Sequence, residues 1–436
     1  MKKAIVICVS IWASWVFPLH AGSPEAVNVQ NRWAWAGAVT ARTAVIHAGA
    51  PEPGALLVSR DPDFGDAVTM VPDAVRDGLD LGPIGRYVLS ELTPDTVYFY
   101  RWADQADVDF GRFRTMPEGP ASFTIAFSSC AATGSEHAVF DHILTHDPLF
   151  FLHTGDLHYE DIAVNDLGRF QKAFRDVLIG STRQNRFFRS VQVPYMWDDH
   201  DYGPNNSDIR APGREAALAA YRLTVPHYPL FDGGADTLAP VGQAFSAGRV
   251  RFLMPDMRSA RDHNDRVDGP GKTMLGTAQL QWFKDQLLAA HEKYAVIVFV
   301  SGVPWIDSST TKDSWAGYAH ERRQISDFLM EHGIRNVVMI AGDSHMVAAD
   351  DGRNNSFSTD GTGPGFPVYH AAALNRGGSV KGGPYSEGTS PGGARFGLLH
   401  IRDDGDSVSI TFQGRHSREG VLIETTHTLE GVTNDE

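Results

Sequence analysis

Cysteine is almost absent from this 436-residue chain: only Cys8 and Cys130 occur. Cys8 lies in an N-terminal segment that reads as removable, so Cys130 stands alone. An internal disulfide is then excluded, as is a structural zinc site of the usual cysteine-rich kind. Positive charge is also scarce. Lys plus Arg number 38 against 53 Asp plus Glu, a formal net charge of −15, which argues against a general nucleic-acid binder with its basic face. No apolar run reaches the ~20 residues a bilayer-spanning helix needs. No Gly-x-Ser-x-Gly elbow flanks Ser129 or Ser344, which ranks a serine hydrolase last. What is plentiful is core material. Hydrophobic residues make up 42% and charged residues 21%, enough for a large core and too apolar for a disordered chain.

Residues 1–21, MKKAIVICVSIWASWVFPLHA, place two lysines before an apolar run from Ala4 to Phe17 and end in small residues. Basic, apolar and small segments in that order read as a secretory signal peptide, with the mature chain starting near Gly22. No arginine pair is present, so the general secretory route, to the periplasm or the exterior, is expected.

The rest divides in two. Residues 22–117 carry short alternating runs, such as Thr43 to His47, Ala55 to Ser59 and Val97 to Trp102, punctuated by Gly, Pro and Asp. This is strand periodicity. The stretch Leu92-Thr93-Pro94-Asp95-Thr96-Val97-Tyr98 resembles the corner before a late strand of an immunoglobulin- or fibronectin-like β-sandwich. Met116 to Pro120 reads as a stiff linker. From Ala121 to Glu436, buried strands (Phe123–Ser128, Leu149–His153, Val193–Trp197, Val250–Pro255, Ala295–Ser301, Asn336–Ala341) alternate with helical patterns, which implies an α/β layered domain. The helices fall at Asp166–Leu178, Gly213–Thr224, Thr277–His291 and His320–His332, the third with Leu280, Phe283, Leu287 and Leu288 on one face. Phe396 to Gln413 returns to strands through a hairpin at Asp403–Asp406. Residues 352–394 hold 11 glycines and read as a long irregular loop.

Polar clusters follow the apolar strands. Ser129-Cys130 follows the first, Gly155-Asp156-Leu157-His158-Tyr159-Glu160-Asp161 the second and Asp198-Asp199-His200-Asp201 the third. Asp256-Met257-Arg258 and Gly342-Asp343-Ser344-His345 follow two more. Ligands of open α/β sheets bind at the carboxyl ends of strands. A single Asp after a strand is usually a turn residue or helix cap, and a buried Cys is usually a filler. Three carboxylates in four residues are harder to dismiss, because they repel unless a cation offsets them. Carboxylates suit Ca²⁺, Mg²⁺ or Mn²⁺; thiolate, imidazole and phenolate suit a transition metal.

Taken together, Ser129-Cys130, Gly155-Asp156-x-x-Tyr159, Trp197-Asp198-Asp199-His200-Asp201, Asp256-x-Arg258 and Gly342-Asp343-x-His345 resemble the alkaline phosphatase D (PhoD-like) family of calcineurin-like metallophosphoesterases. The resemblance covers essentially the whole chain after the signal segment. It implies an α/β fold: a four-layer core of two packed mixed sheets flanked by helices, after an N-terminal β-sandwich. It implies hydrolysis of phosphate monoesters or diesters, small or polymeric, with Fe³⁺ and Ca²⁺ or another divalent cation.

Residue by residue, the resemblance makes Cys130 an iron thiolate ligand, Asp156 a metal bridge and Tyr159 an iron phenolate ligand. Asp199, Asp343 and His345 become further metal ligands. His200 faces the leaving group, and Arg258 holds substrate phosphate. Asn205-Asn206 follow the Asp-Asp-His run, and Asn206 is assigned to substrate. Asp201 either orients the imidazole of His200 or caps a turn. The expected reaction is attack of a metal-activated hydroxide on phosphorus, with His200 protonating the departing alkoxide. A catalytically silent surface- or carbohydrate-binding protein, acting through the sandwich, is the alternative.

Overall fold

The alternating stretch after residue 30 forms eight strands: β1 (Trp33–Gly37), β2 (Ala44–Gly49), β3 (Leu56–Ser59), β4 (Val68–Met70), β5 (Ala74–Asp77), β6 (Pro83–Leu89), β7 (Val97–Trp102) and β8 (Gly111–Arg114). In this computed structural model, which describes residues 31–105, 110–307 and 313–430, they pair antiparallel in two four-stranded sheets, β1-β2-β6-β5 and β4-β3-β7-β8. Strand β7 shows why: alternate residues are buried and half-buried along its whole length, the two-residue period of a strand with one face in a core. The Tyr98 hydroxyl accepts a hydrogen bond from the Thr93 amide at 2.9 Å, so the corner motif closes on itself. The signal-peptide reading of residues 1–21, Cys8 included, lies outside the described residues.

Twelve further strands follow: β9 (Phe123–Ser128), β10 (Phe151–His153), β11 (Gln243–Ala247), β12 (Val250–Met254), β13 (Val296–Ser301), β14 (Val337–Ala341), β15 (Met346–Asp350), β16 (Val368–Ala371), β17 (Thr389–Pro391), β18 (Arg395–Asp403), β19 (Ser407–His416) and β20 (Gly420–Glu430). They make a five-stranded sheet, β10-β9-β18-β19-β20, and a seven-stranded sheet, β11-β12-β13-β14-β16-β15-β17. Both are mixed: β9–β10 and the run β12-β13-β14-β16 are parallel, and the other pairs antiparallel. The sheets pack closely. Tyr369 of β16 stacks on Phe412 of β19 at 4.8 Å, and a Cβ on Gly414 would come within 2.8 Å of the Val347 side chain. Helices at Leu167–Leu178, Arg214–Thr224, Thr277–His291 and Ala319–Glu331 lie within a residue of their expected starts and ends. The first is capped by the Asp166 side chain, which accepts from the Arg169 amide.

Three expectations are corrected, and one unforeseen helix is added. Val193–Trp197 forms an isolated bridge, Tyr195 to His153, and no full strand, because Pro194 has no amide to donate to a ladder. The stretch 352–394 is not one irregular loop. It contains β16, wholly buried between β14 and β15, which four residues amid glycine and proline conceal. Leu288 is exposed, and Gln279 and Ala290 join Phe283 and Leu287 on the buried face. The helix Thr182–Ser190 was hidden by its high content of polar residues.

The N-terminal sheets are joined to the α/β layers by buried and half-buried hydrogen bonds. Trp35 Nε1 donates to the Val193 carbonyl at 3.0 Å, the Tyr228 hydroxyl donates to the Val39 carbonyl at 2.8 Å, and the Gln192 side chain both accepts from and donates to the Arg114 backbone. No helix among the described residues is long and apolar enough to cross a membrane.

Candidate metal centre

Strands β9 and β10 of one sheet and β12 and β14 of the other end around one point, and the residues just past them are Cys130, Asp156, Arg258 and Asp343. Three of these turn through left-handed backbone: Cys130 at φ 64°, Asp156 at φ 54° and Asp343 at φ 61°. Non-glycine residues enter that region rarely and at a cost. Gly155 precedes Asp156 at φ +110°, and a Cβ there would lie 2.4 Å from that of Asp198. Only glycine permits the two chain segments to meet.

Two overlapping groups of donors result. Cys130, Asp156 and His345 offer one ligand atom each within 4.8 Å of one another, and so do Asp156, Asp199 and His200. Asp156 belongs to both. Tyr159 joins the first group: its hydroxyl donates to Asp156 Oδ2 at 2.7 Å and lies 3.3 Å from His345 Nε2. Cys130 Sγ is 3.4 Å from the same Asp156 oxygen. The His345 Nδ1–H donates to the Gly377 carbonyl at 2.6 Å, which leaves Nε2, 3.3 Å from the Tyr159 hydroxyl, as the ring nitrogen able to accept.

The donors fit a cation on a direct observation. Asp156 Oδ1 and Asp343 Oδ2 are buried without a hydrogen-bond partner among the described residues, and orphaned buried carboxylate oxygens are costly. The electrostatics agree. Burial, then the charges of Asp156 and Asp343, pushes the Cys130 thiol well up. Burial, then Asp199 and Asp201, raises Asp156. Asp343 rises to about 6 through burial, although Lys381 opposes this with a 2.6 Å ion pair. A cation is what would restore these groups to their charged forms.

His200 sits at the rim. Its Nδ1 is 2.6 Å from Asp161 Oδ1, and its ring lies 4.1 Å from that of Tyr159. Asp201 does not orient it. Asp201 instead accepts from the amides of Leu157, His158 and Asp198, the capping role. Asn206 contributes through its backbone, whose amide donates to Asp199 Oδ2 at 2.6 Å; its side chain is exposed.

Arg258 corrects an expectation. It does not reach toward a substrate: the side chain is 0% exposed. Its Nε donates to Asp198 at 2.5 Å, one terminal nitrogen donates to Asp313 at 3.0 Å and the other lies 3.8 Å from Asp199. Burial acts against the charged guanidinium, but Asp198, Asp313 and Asp199 outweigh it. Arg261 also binds Asp313, at 2.6 Å. Sequence reasoning missed Asp161, Asp313, Arg376 and Lys381. Asp161 is within the second motif and was readable there. The others lie in loops with no pattern of their own.

The family model for PhoD-like phosphatase matches residues 125–368. Alkaline phosphatase D of Bacillus subtilis (strain 168) is 25% identical over 304 residues, 58% of this chain and 52% of that protein. The chain thus spans about half the length of this curated relative in the match. The solved structure of PhoD superposes with a TM-score of 0.71 over 92% of this chain and 90% of that one, at 19% identity. The fold is shared.

Proposed function

This chain belongs to the PhoD-like phosphatase family, and from that premise we propose that it is an exported phosphoesterase acting on phosphate monoesters, diesters or both. In this reading residues 1–21 direct export, 22–117 form an immunoglobulin- or fibronectin-like sandwich, and 121–436 form a four-layer catalytic domain. The observation that carries the proposal is Asp156, common to both donor groups, which would let it serve two cations.

Cys130, Tyr159, His345 and Asp156 are a donor set for Fe³⁺. Asp156, Asp199 and Asp343 are hard oxygen donors for Ca²⁺ or another divalent ion. Such a pair, when bound, supplies polarisation of the phosphoryl group and a nucleophile at neutral pH. The chain's own residues do the rest. Asp161 accepts from the His200 Nδ1–H, so that in the imidazolium form the Nε2–H would be the proton for the leaving group. The Asn206 amide fixes one oxygen of Asp199 and so the direction of the other. Arg258 stabilises the carboxylate frame beneath.

The test is phosphate release from an alkyl and a nitrophenyl ester. Nitrophenolate leaves without a proton; an alkoxide does not. His200→Ala is expected to slow the alkyl ester about 10²–10⁴-fold more than the nitrophenyl ester. Equal losses at full metal content would remove His200 as the proton donor, and no release from either ester by wild-type enzyme would end the proposal. The iron assignment has its own readout: a visible charge-transfer band that Tyr159→Phe bleaches or shifts. Colourless, active protein holding only zinc or manganese would refute iron alone.

A further inference from the structure

With Arg258 buried beneath the carboxylates, a side-chain cation that meets a substrate phosphate has to come from another segment. We propose that Arg376 is that contact: a guanidinium that binds the phosphoryl oxygens of the ester at the rim of the candidate centre. The inference rests on the phosphoesterase reading above.

Three observations carry it. The first is position. The guanidinium carbon of Arg376 lies 4.0 Å from the centroid of the Tyr159 ring, the same ring that His200 borders at 4.1 Å. The cation and the expected proton donor therefore flank one candidate ligand.

The second is how firmly the backbone is placed. The Leu374 amide donates to the Ser129 carbonyl at 2.9 Å and the Asn375 amide to the Cys130 carbonyl at 3.4 Å. The Asn375 side chain accepts from the Ala132 amide at 2.6 Å and donates to Ser135 Oγ at 2.7 Å. On the other side, the Gly377 carbonyl receives the His345 imidazole and the Ser379 amide donates to the His345 carbonyl. Arg376 is thus held between one residue fastened to the Cys130 turn and another fastened to His345. Such anchoring of a binding group by rigid neighbours limits the ordering cost of binding.

The third is availability. Lys381, the other cation of this segment at the centre, is committed to Asp343. Arg376 is half-buried, and no hydrogen bond or ion pair engages its guanidinium among the described residues. Its planar fork matches two phosphoryl oxygens at once, as an ammonium does not.

Inorganic phosphate is the probe, because its binding can be measured without turnover. Metal-loaded full-length protein is titrated with phosphate by calorimetry, and phosphate is also tested as a competitive inhibitor. Arg376→Ala and Arg376→Gln are expected to weaken phosphate about ten- to a hundredfold and to raise KM in proportion, with kcat changed much less and metal content unchanged. Arg376→Lys should fall between them and wild type. Unchanged phosphate affinity in both neutral variants at full metal content would overturn the proposal while hydrolysis by wild type upheld the phosphoesterase reading. Wild type that neither binds phosphate nor releases it from esters would overturn both. Metal loss in both variants would make Arg376 a support for Tyr159 and overturn the proposal as well.

Discussion

The two halves of the candidate centre handle negative charge in opposite ways. Around Cys130, Asp156 and Tyr159 the pKa values of all three groups are pushed up, by burial first and after it by neighbouring acidic groups: Asp156 and Asp343 for Cys130, Asp199 and Asp201 for Asp156, and Cys130 and Asp156 for Tyr159. Around Asp199 and Asp313 burial also works against charge, yet both carboxyls end below their ordinary range, because Arg258, joined at Asp313 by Arg261, outweighs it. One half carries arginine counter-ions of its own, which hold Asp199 and Asp313 down, although burial still raises Asp198 and leaves its Oδ2 without a partner among the described residues. The other half has no arginine among its donors, and a cation from outside would have to offset its charge. A wall braced by its own arginines, beside one without them, would hold ligand side chains in geometry ahead of a metal.

The largest expected effect removes what the halves share. Asp156 is in both donor groups, so Asp156→Ala should lose both cations and bring ester hydrolysis to background. Elemental analysis of the variant checks this directly. Retention of one full equivalent of metal would mean that Asp156 serves one half only, and the comparison would have to be redrawn as two independent sites.

The next effect is on stability and is confined to the arginine side. Arg258→Met would leave buried Asp198 without its arginine and Asp313 with Arg261 alone, and breaking a buried ion pair in this way typically costs about 3–5 kcal/mol. Denaturant unfolding in the presence of a chelator isolates this loss from any contribution of metal. A loss under about 1 kcal/mol would show that Arg261 and protonation of the carboxyls suffice, and that the arginine wall is not what holds this half.

How much of this could be read from the chain follows the same division. Cys130, Asp156 and Asp343 were legible because each stands one to three residues past an apolar strand, and strand ends in α/β layers converge. Tyr159 and Asp161 share the second motif, but only Tyr159 stood out, because the reach of a carboxylate across to His200 is a matter of loop shape. Arg258 was legible as a motif and misplaced as a role: spacing shows that a residue lies near a site, not whether its side chain turns toward solvent or beneath the carboxylates. Asp313, Arg376 and Lys381 could not be found. They lie in irregular segments, where position is set by bonds to distant residues, such as that from Asn375 to Cys130, and periodicity has nothing to say. The two sheets followed from hydrophobic runs, whereas β16, four residues between glycine-rich stretches, needed its neighbours in space to become a strand.

The smallest expected effect probes how the metal-dependent half is tuned. Ser129 is wholly buried. Its hydroxyl lies 3.1 Å from Cys130 Sγ and accepts from the Asp343 amide at 3.3 Å. One side chain thus touches a candidate ligand from each sheet. Donation from the hydroxyl favours the thiolate, which is the ligating form, and acceptance from the amide steadies the left-handed turn at Asp343. Ser129→Ala removes one oxygen and adds no bulk, so packing should survive. Partners one step behind a ligand typically tune metal affinity by about 10–100-fold. That loss should appear in competition with a chelator of known affinity, with Arg258→Met as the contrast: it should cost stability and shift metal affinity in the Cys130 half far less. If Ser129→Ala leaves metal affinity unchanged, Cys130 does not depend on the hydroxyl to ionise, and the cation alone must draw off its proton.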